Sequence, residues 1–203
     1  FGIILIIIIF SLSSYMKNFK NTLVYLCYAS LPIVVLPFIF DISPVYSLAN
    51  WFGNIAIILY CLTLTPGIIK RLKLNNMFRK TQLYLMFGRR QLGILTFIYA
   101  FIHYSWHQIY PVYEFRTLPE ITTFRSMGFL AFVIFTALAI TSNNLSVKLL
   151  KKNWGRLHKA TYIAAFLLFF HVALSGNIWQ SALVGFFLIL EVSSLIVSLV
   201  RKK

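Results

Sequence analysis

Seven stretches of this chain, Phe1–Met16, Leu23–Phe40, Leu48–Ile69, Gln91–Tyr110, Phe124–Thr141, Leu157–Gly176 and Trp179–Val200, are apolar nearly from end to end. About 20 such residues wound as an α-helix cross the hydrocarbon core of a bilayer, and shorter ones do so when flanking groups snorkel. Inside hydrocarbon the backbone must satisfy its own hydrogen bonds, so a stretch of this kind folds as a helix. The expected fold is therefore all-α, an integral membrane bundle of about seven transmembrane helices. Composition removes the soluble alternative. Of 203 residues 60% are hydrophobic, mean hydropathy is +0.81, and only Asp41, Glu114, Glu120 and Glu191 are acidic, too few polar groups to cover a water-facing surface.

The net charge of +15 raises nucleic acid as a partner. A nucleic-acid binder carries its basic residues on a polar scaffold, whereas here they punctuate apolar segments, so the charge reads as topology and no nucleic acid is expected. In the seven-helix reading, 17 of the 19 Lys and Arg fall on one side, in Lys17–Lys20, Lys70–Arg90, Lys148–Lys159 and the tail Arg201–Lys203. Only Arg116 and Arg125 lie opposite. That bias places the C-terminus in the cytoplasm and the N-terminus outside, in what is expected to be a bacterial inner membrane. Lys70 to Arg90 reads as the longest cytoplasmic loop, basic and partly amphipathic, a topology signal able to lie on anionic lipid. Pro32 and Pro37 are expected to bend the second helix and Pro66 to end the third. Phe1 stands where a start Met would, so a start upstream is expected, and Phe1–Phe10 lacks the basic flank of a signal peptide. Cys27 and Cys61 sit in apolar runs without metal-ligand spacing and read as inert small hydrophobes.

All four histidines fall on two of the expected helices: His103 and His107 on the fourth, His158 and His171 on the sixth. Both helices run outward from basic anchors. Thirteen residues separate Arg90 from His103 and fifteen separate Arg156 from His171, rises of about 20 and 22 Å, so His103 and His171 share a depth in the outer leaflet. His158 sits at the cytoplasmic end. A lone intramembrane histidine is more often bonded to a neighbouring helix than a ligand. Two at matched depth on parallel helices fit an iron porphyrin, because the metal takes one imidazole nitrogen of each and the macrocycle covers apolar surface. Zinc would want further Cys, His or carboxylate ligands nearby, and none is present. The cofactor expected is haem b, one or two copies. His158 and His171 are spaced for one haem in each leaflet, although 13 residues leave their side chains roughly 140° apart on a straight helix. A tilt, a kink or a π-bulge would reconcile the two.

The stretches "GRRQLGILTFIYAFIH" and "NWGRLHKATYIAAFLLFFH", with "LTLTPGIIKRL" before them, resemble the ferric-reductase-like transmembrane domain superfamily over roughly residues 48–200. Within it the likeness is greatest to the haem-binding membrane subunits of bacterial methionine sulfoxide reductase systems, the MsrQ-like branch, and more distant to the membrane domains of NADPH oxidases. The resemblance implies that His103 and His171 hold the outer-leaflet haem and that His158 is the inner histidine, with Trp154 and Tyr162 in the flanking pattern. Where the oxidases have a further inner histidine this chain has Arg89, as the MsrQ-like branch does, and Arg89 is a partner for a haem propionate or a helix anchor. The first helix, residues 1–22 with its loop, is extra to a six-helix core over residues 23–203. His107 is an alternative ligand, a propionate partner or an interfacial hydrogen bonder. Glu191, about 15 Å before Arg201, is a candidate proton relay or quinol-site acid, or a carboxyl hydrogen-bonded to Ser194 or a facing helix.

The function expected is transmembrane electron transfer: from a cytoplasmic-side donor, quinol or a flavin reductase, through haem, to an outer-face partner protein docking on Gln108–Thr123, where Tyr110, Tyr113, Glu114 and Glu120 are expected to be exposed. The chain carries no nicotinamide or flavin domain of its own, and no residues in a pattern for nucleophilic or acid–base catalysis. The alternatives are a haem-free structural subunit of a larger membrane redox complex and a proton-coupled transporter. The latter lacks paired Gly/Pro helix breaks. Haem content discriminates among the three.

Overall fold

A computed structural model describes residues 2–40, 46–115 and 120–201, and of residues 2–13, 40, 46 and 113–115 the backbone alone. Asp41, Arg116, Lys202 and Lys203, used above for topology, lie outside the described residues, as do the side chains of Tyr113 and Glu114.

The described residues are helices and connecting turns without a strand. Six helical segments among them are long and apolar enough to cross a membrane: Ser14–Ile39, Ser47–Arg71, Asn75–Val112, Thr123–Ile140, Lys152–Leu174 and Ile178–Val200. The chain is an all-α integral membrane protein. The first expected loop is absent, because Lys17–Thr22 lies inside one continuous helix, α1 (Gly2–Ser30). The reason is local: no Gly or Pro occurs between Ile3 and Ser30, and lysine is a good helix former. The break comes where proline forces it, at the 3₁₀ turn Leu31–Val34, before α2 (Leu36–Phe40).

Two further expectations give way to longer helices. Pro66 lies within α3 (Tyr46–Arg71) and does not end it. Proline is tolerated in membrane helices packed among others, and in the turn before it Thr63 and Thr65 turn their hydroxyls back onto the carbonyls of Tyr60 and Cys61. Most of the expected cytoplasmic loop Lys70–Arg90 is the start of α4 (Asn75–Tyr104), kinked at Phe78. Its residues Met77–Phe87 lack Gly and Pro, so their amphipathic pattern continues into the span. A π-helical turn, Ser105–Ile109, then α5 (Tyr110–Phe115), complete this arm. The remaining helices are α6 (Thr123–Ile140), the short α7 (Asn144–Leu150) and α8 (Lys152–His158), α9 (Ala160–Leu174) and α10 (Ile178–Val200).

Helices α3 and α4 form one antiparallel hairpin, and α6 and α9 a second. Helix α1 runs parallel to α4, with Phe19 on Tyr84, Cys27 by Gln91 and Ser30 bonded to Tyr99. Helix α10 covers α3 and α9. One apolar cluster, including Ile57, Tyr60, Leu64, Ala164 and Leu168, joins α3, α6, α9 and α10. A second, including Leu23, Leu92, Leu95 and Ile102, joins α1 to α4. Basic residues gather at one end of the bundle: Lys20 over the Phe87 ring, Arg90 on Asn144, Arg201 on the Arg71 carbonyl.

A paired-imidazole cavity

At the other end the two hairpins part around a cavity of about 770 Å³. Ala100, Ala131, Phe132, Phe135 and Leu168 line its apolar part, and Asn50, Asn54, Gln108, Glu120, Arg125 and Gln180 contribute polar groups. His103 and His171 face each other across it, ring centroids 6.4 Å apart and planes crossed at 73°. The matched depth expected from sequence is thus real contact distance. Each ring is held from behind by a main-chain carbonyl. His103 Nδ1 lies 2.9 Å from the Ala49 oxygen on α3, and His171 Nδ1 lies 2.7 Å from the Phe124 oxygen on α6. A carbonyl only accepts, so both Nδ1 atoms carry the proton and both Nε2 atoms present lone pairs. Neither Nε2 has a hydrogen-bond partner among the described residues.

This donor set suits a metal that the two imidazoles would hold between them, and the 6.4 Å between ring centroids leaves room for it. Among the described residues no three His, Cys, Asp or Glu side chains gather as a cage for a bare ion. Haem iron would take one nitrogen from each ring, and the cavity beside them is large and lined with aromatic rings that would cover the macrocycle. Tyr104 and Phe132 stand nearly parallel on its wall, 4.9 Å apart.

His107 shares the cavity. Its ring is 4.8 Å from that of His103, and its Nε2 bonds the Asn50 side chain at 3.0 Å, which matches the hydrogen-bonding role considered for it. His158 does not join this group. It ends α8, stacks on Trp154 at 4.0 Å, and its Nε2 is 3.3 Å from the Thr141 hydroxyl. His158 and His171 therefore lie on separate helices, divided at Lys159. Arg89 is exposed at the basic end.

Glu191 is buried, 2% exposed, and pairs with Arg71 of α3. Arg71 Nε donates to Ser194 at 2.8 Å, while the Ser194 hydroxyl donates to the Glu191 main-chain carbonyl, not to the carboxyl. Tyr162 accepts from Arg71 at 3.4 Å. Arg71, one of the basic residues of the expected Lys70–Arg90 loop, ends α3 instead and is the facing-helix partner of Glu191. Glu191 Oε2 remains buried and unpartnered. On the expected docking segment Glu120 is exposed, but Tyr110 is buried at 1%, covered by Phe38 at 5.6 Å. The π turn before it keeps the end of this helical arm packed, so Tyr110 is removed from that surface.

The residues that sequence reasoning missed are the backing groups, Ala49 and Phe124, and the cavity lining from α3 and α10, Asn50, Asn54 and Gln180. Polar Asn and Gln at the edges of apolar stretches were the available signal.

The fold and site define a helical membrane protein that presents two facing imidazoles in an aromatic-lined cavity. Residues 52–169 match the family described as ferric reductase like transmembrane component, and the chain belongs to that family. It is also similar to proteins named protein-methionine-sulfoxide reductase heme-binding subunit MsrQ. That of Brucella melitensis biotype 2 is 31% identical over 120 residues, 56% of this chain and 54% of the relative. Those of Brucella anthropi and Brucella ovis are 31% and 32% identical over 99 residues, 46% of this chain and 44% of each relative. The chain spans about half the length of the curated relatives it matches. No solved structure matches it.

Proposed function

We propose that the protein carries electrons across the membrane through b-type haem ligated by His103 and His171. The observation that carries this reading is the imidazole pair itself: two rings on the lining of one cavity, 6.4 Å between ring centres, each with its Nδ1–H tied back to a carbonyl, which leaves its Nε2 lone pair for a metal. Haem bound there would supply one-electron chemistry between ferric and ferrous iron. The chain's own residues do the rest. His103 and His171 hold the iron, Phe132, Tyr104 and Phe135 exclude water from the cavity, and Arg125, a cation on its lining, suits a propionate. The names of the relatives, heme-binding subunits of a protein-methionine-sulfoxide reductase, support haem and a place in a reductase system.

In this reading the basic end faces the cytoplasm of a bacterial inner membrane and takes electrons from quinol or a flavin reductase. The outer acceptor docks at the cavity end, where Glu120, Ile121 and Arg125 are placed. His158, with Trp154 and Arg89 near the basic end, is the residue available for a second, inner haem; the haem-to-protein ratio reads whether it holds one. Transport of protons by Glu191 is less well supported, because its carboxylate is occupied by Arg71.

The test is a reduced-minus-oxidised optical spectrum of the purified protein with haem quantified. A low-spin b-type spectrum at one or two haems per chain is expected. A folded protein that stays colourless after expression with ample haem overturns the reading and leaves the structural-subunit alternative.

A further inference from the structure

Both ligand seats are built the same way, and the repeated element is a glycine. His103 Nδ1 donates to the carbonyl of Ala49, and four residues on is Gly53; His171 Nδ1 donates to the carbonyl of Phe124, and four residues on is Gly128. In an α-helix the carbonyl of residue i already accepts from the N–H of residue i+4. A side chain at i+4 on that face stands beside the carbonyl and blocks a second donor from reaching it. Here it would do so directly. A Cβ built on Gly53 would lie 2.9 Å from His103 Nδ1 and 3.1 Å from Cε1, and one on Gly128 would lie 2.6 Å from His171 Nδ1 and 2.8 Å from Cε1. Contacts under 3.0 Å against the ring itself cannot be relieved by a flexible side-chain end, so the whole imidazole would have to move. By contrast, Gly93 and Gly155 have nothing within 4 Å of such a Cβ. Neither Gly53 nor Gly128 has a positive φ, so the requirement is for space and not for an unusual backbone.

We propose that Gly53 and Gly128 are positioning residues that open one side of the Ala49 and Phe124 carbonyls, so that each carbonyl fixes the tautomer, orientation and electron-donating strength of a ligand histidine. The inference rests on the haem reading above and adds how the ligands are tuned. An imidazole whose Nδ1–H is held by a carbonyl is a stronger donor to metal through Nε2, and loss of such an outer partner typically weakens metal binding about 10- to 100-fold. A stronger donor favours ferric iron. Displacing the ring therefore weakens haem binding and raises the midpoint potential.

The experiment compares Gly53→Ala, Gly128→Ala and the control Gly93→Ala in the full chain. Haem titration, redox potentiometry and EPR of the ferric protein are measured alongside size exclusion. The control is expected to match wild type. Each of the two seat variants is expected to bind haem about 10- to 100-fold more weakly and, when loaded, to show a raised midpoint and shifted low-spin g-values. Wild-type affinity, potential and g-values in both seat variants overturn the inference while leaving the haem reading intact, whereas wild-type protein without haem overturns the reading itself. Should a seat variant fail to fold, the haem-free wild-type protein labelled with ¹⁵N-histidine decides. Both imidazoles are expected as Nδ1–H tautomers, and an Nε2–H tautomer at either overturns the inference.

Discussion

A neutral imidazole in hydrocarbon needs a partner at each nitrogen, because an unmet polar group there costs several kcal/mol. At His103 and His171 the protein supplies one partner per ring, at Nδ1, and leaves the other nitrogen to a ligand in the cavity that both rings line. In the proposed reading, removal of either side chain would take away one of the two residues that hold the haem. His103→Ala and His171→Ala are each expected to abolish the low-spin spectrum of the same haem, with haem content falling about 10-fold or more, in line with losing a ligand and not merely its support. His158→Ala is expected to spare that haem, since its ring belongs to Trp154 and Thr141 at another level of the bundle. The pyridine haemochrome assay on the three variants checks both statements. Loss of the outer signal in His158→Ala would contradict the assignment. Sequence made the pairing of His103 with His171 legible because equal counts from basic anchors give equal depth. It did not make the carbonyl seats legible, since Ala49 and Phe124 act through their main chain and their side chains carry no chemical sign of it.

At the scale of elements, the ion pair between α3 and α10 is a second consequence of hydrocarbon. Glu191 is 2% and Arg71 18% exposed, so the carboxylate has no bulk water to fall back on and the guanidinium little. Removing one partner of a buried pair costs about 3–5 kcal/mol, whereas replacing both by apolar groups is often neutral. Glu191→Gln is expected to lower stability by about 3 kcal/mol, the low end because Arg71 retains some exposure. Arg71→Met combined with Glu191→Leu is expected to recover most of the loss, and thermal unfolding in detergent measures both. A proton relay would behave differently, slowing haem reduction in Glu191→Gln while the melting temperature held. Helix ends were the least legible elements for a related reason. Lys17, Lys20, Arg79 and Lys80 mark where the membrane ends, not where the helix does, and a charged residue outside the core continues a helix as readily as it flanks one. The same local rule governs the α1–α4 seam. A Cβ on Gly88 would meet Phe19 at 2.7 Å and Leu23 at 2.8 Å, so Gly88→Leu is expected to destabilise by about 1–3 kcal/mol through overpacking, again read as a lower melting temperature.

At the scale of the whole molecule, the two ends of the bundle are unlike, and in the proposed reading that difference sets the direction of electron flow. Lys20, Arg71, Arg90 and Arg201 are drawn to one end by contacts among α1, α3, α4, α7 and α10, while the cavity opens at the other. The loop positions read from sequence were partly wrong, yet the side on which the basic residues fall survives, because joining two expected helices into one leaves Lys17 and Lys20 at the same end as Tyr84 and Phe87. Cytoplasmic segments carry the excess of Lys and Arg, so the cavity end is expected to face outward. Single cysteines report this directly. Ile121 is 90% exposed at the cavity end and Lys80 is exposed at the basic end, whereas the native Cys27 and Cys61 are buried and give little background. In intact spheroplasts a membrane-impermeant maleimide is expected to label Ile121→Cys and to leave Lys80→Cys unlabelled until the membrane is permeabilised. The reverse pattern would put the haem cavity on the cytoplasmic side and turn the donor and acceptor around. Labelling of both without permeabilisation would mean that the two ends do not lie on opposite faces, which a bundle with α4 crossing the membrane between them does not allow.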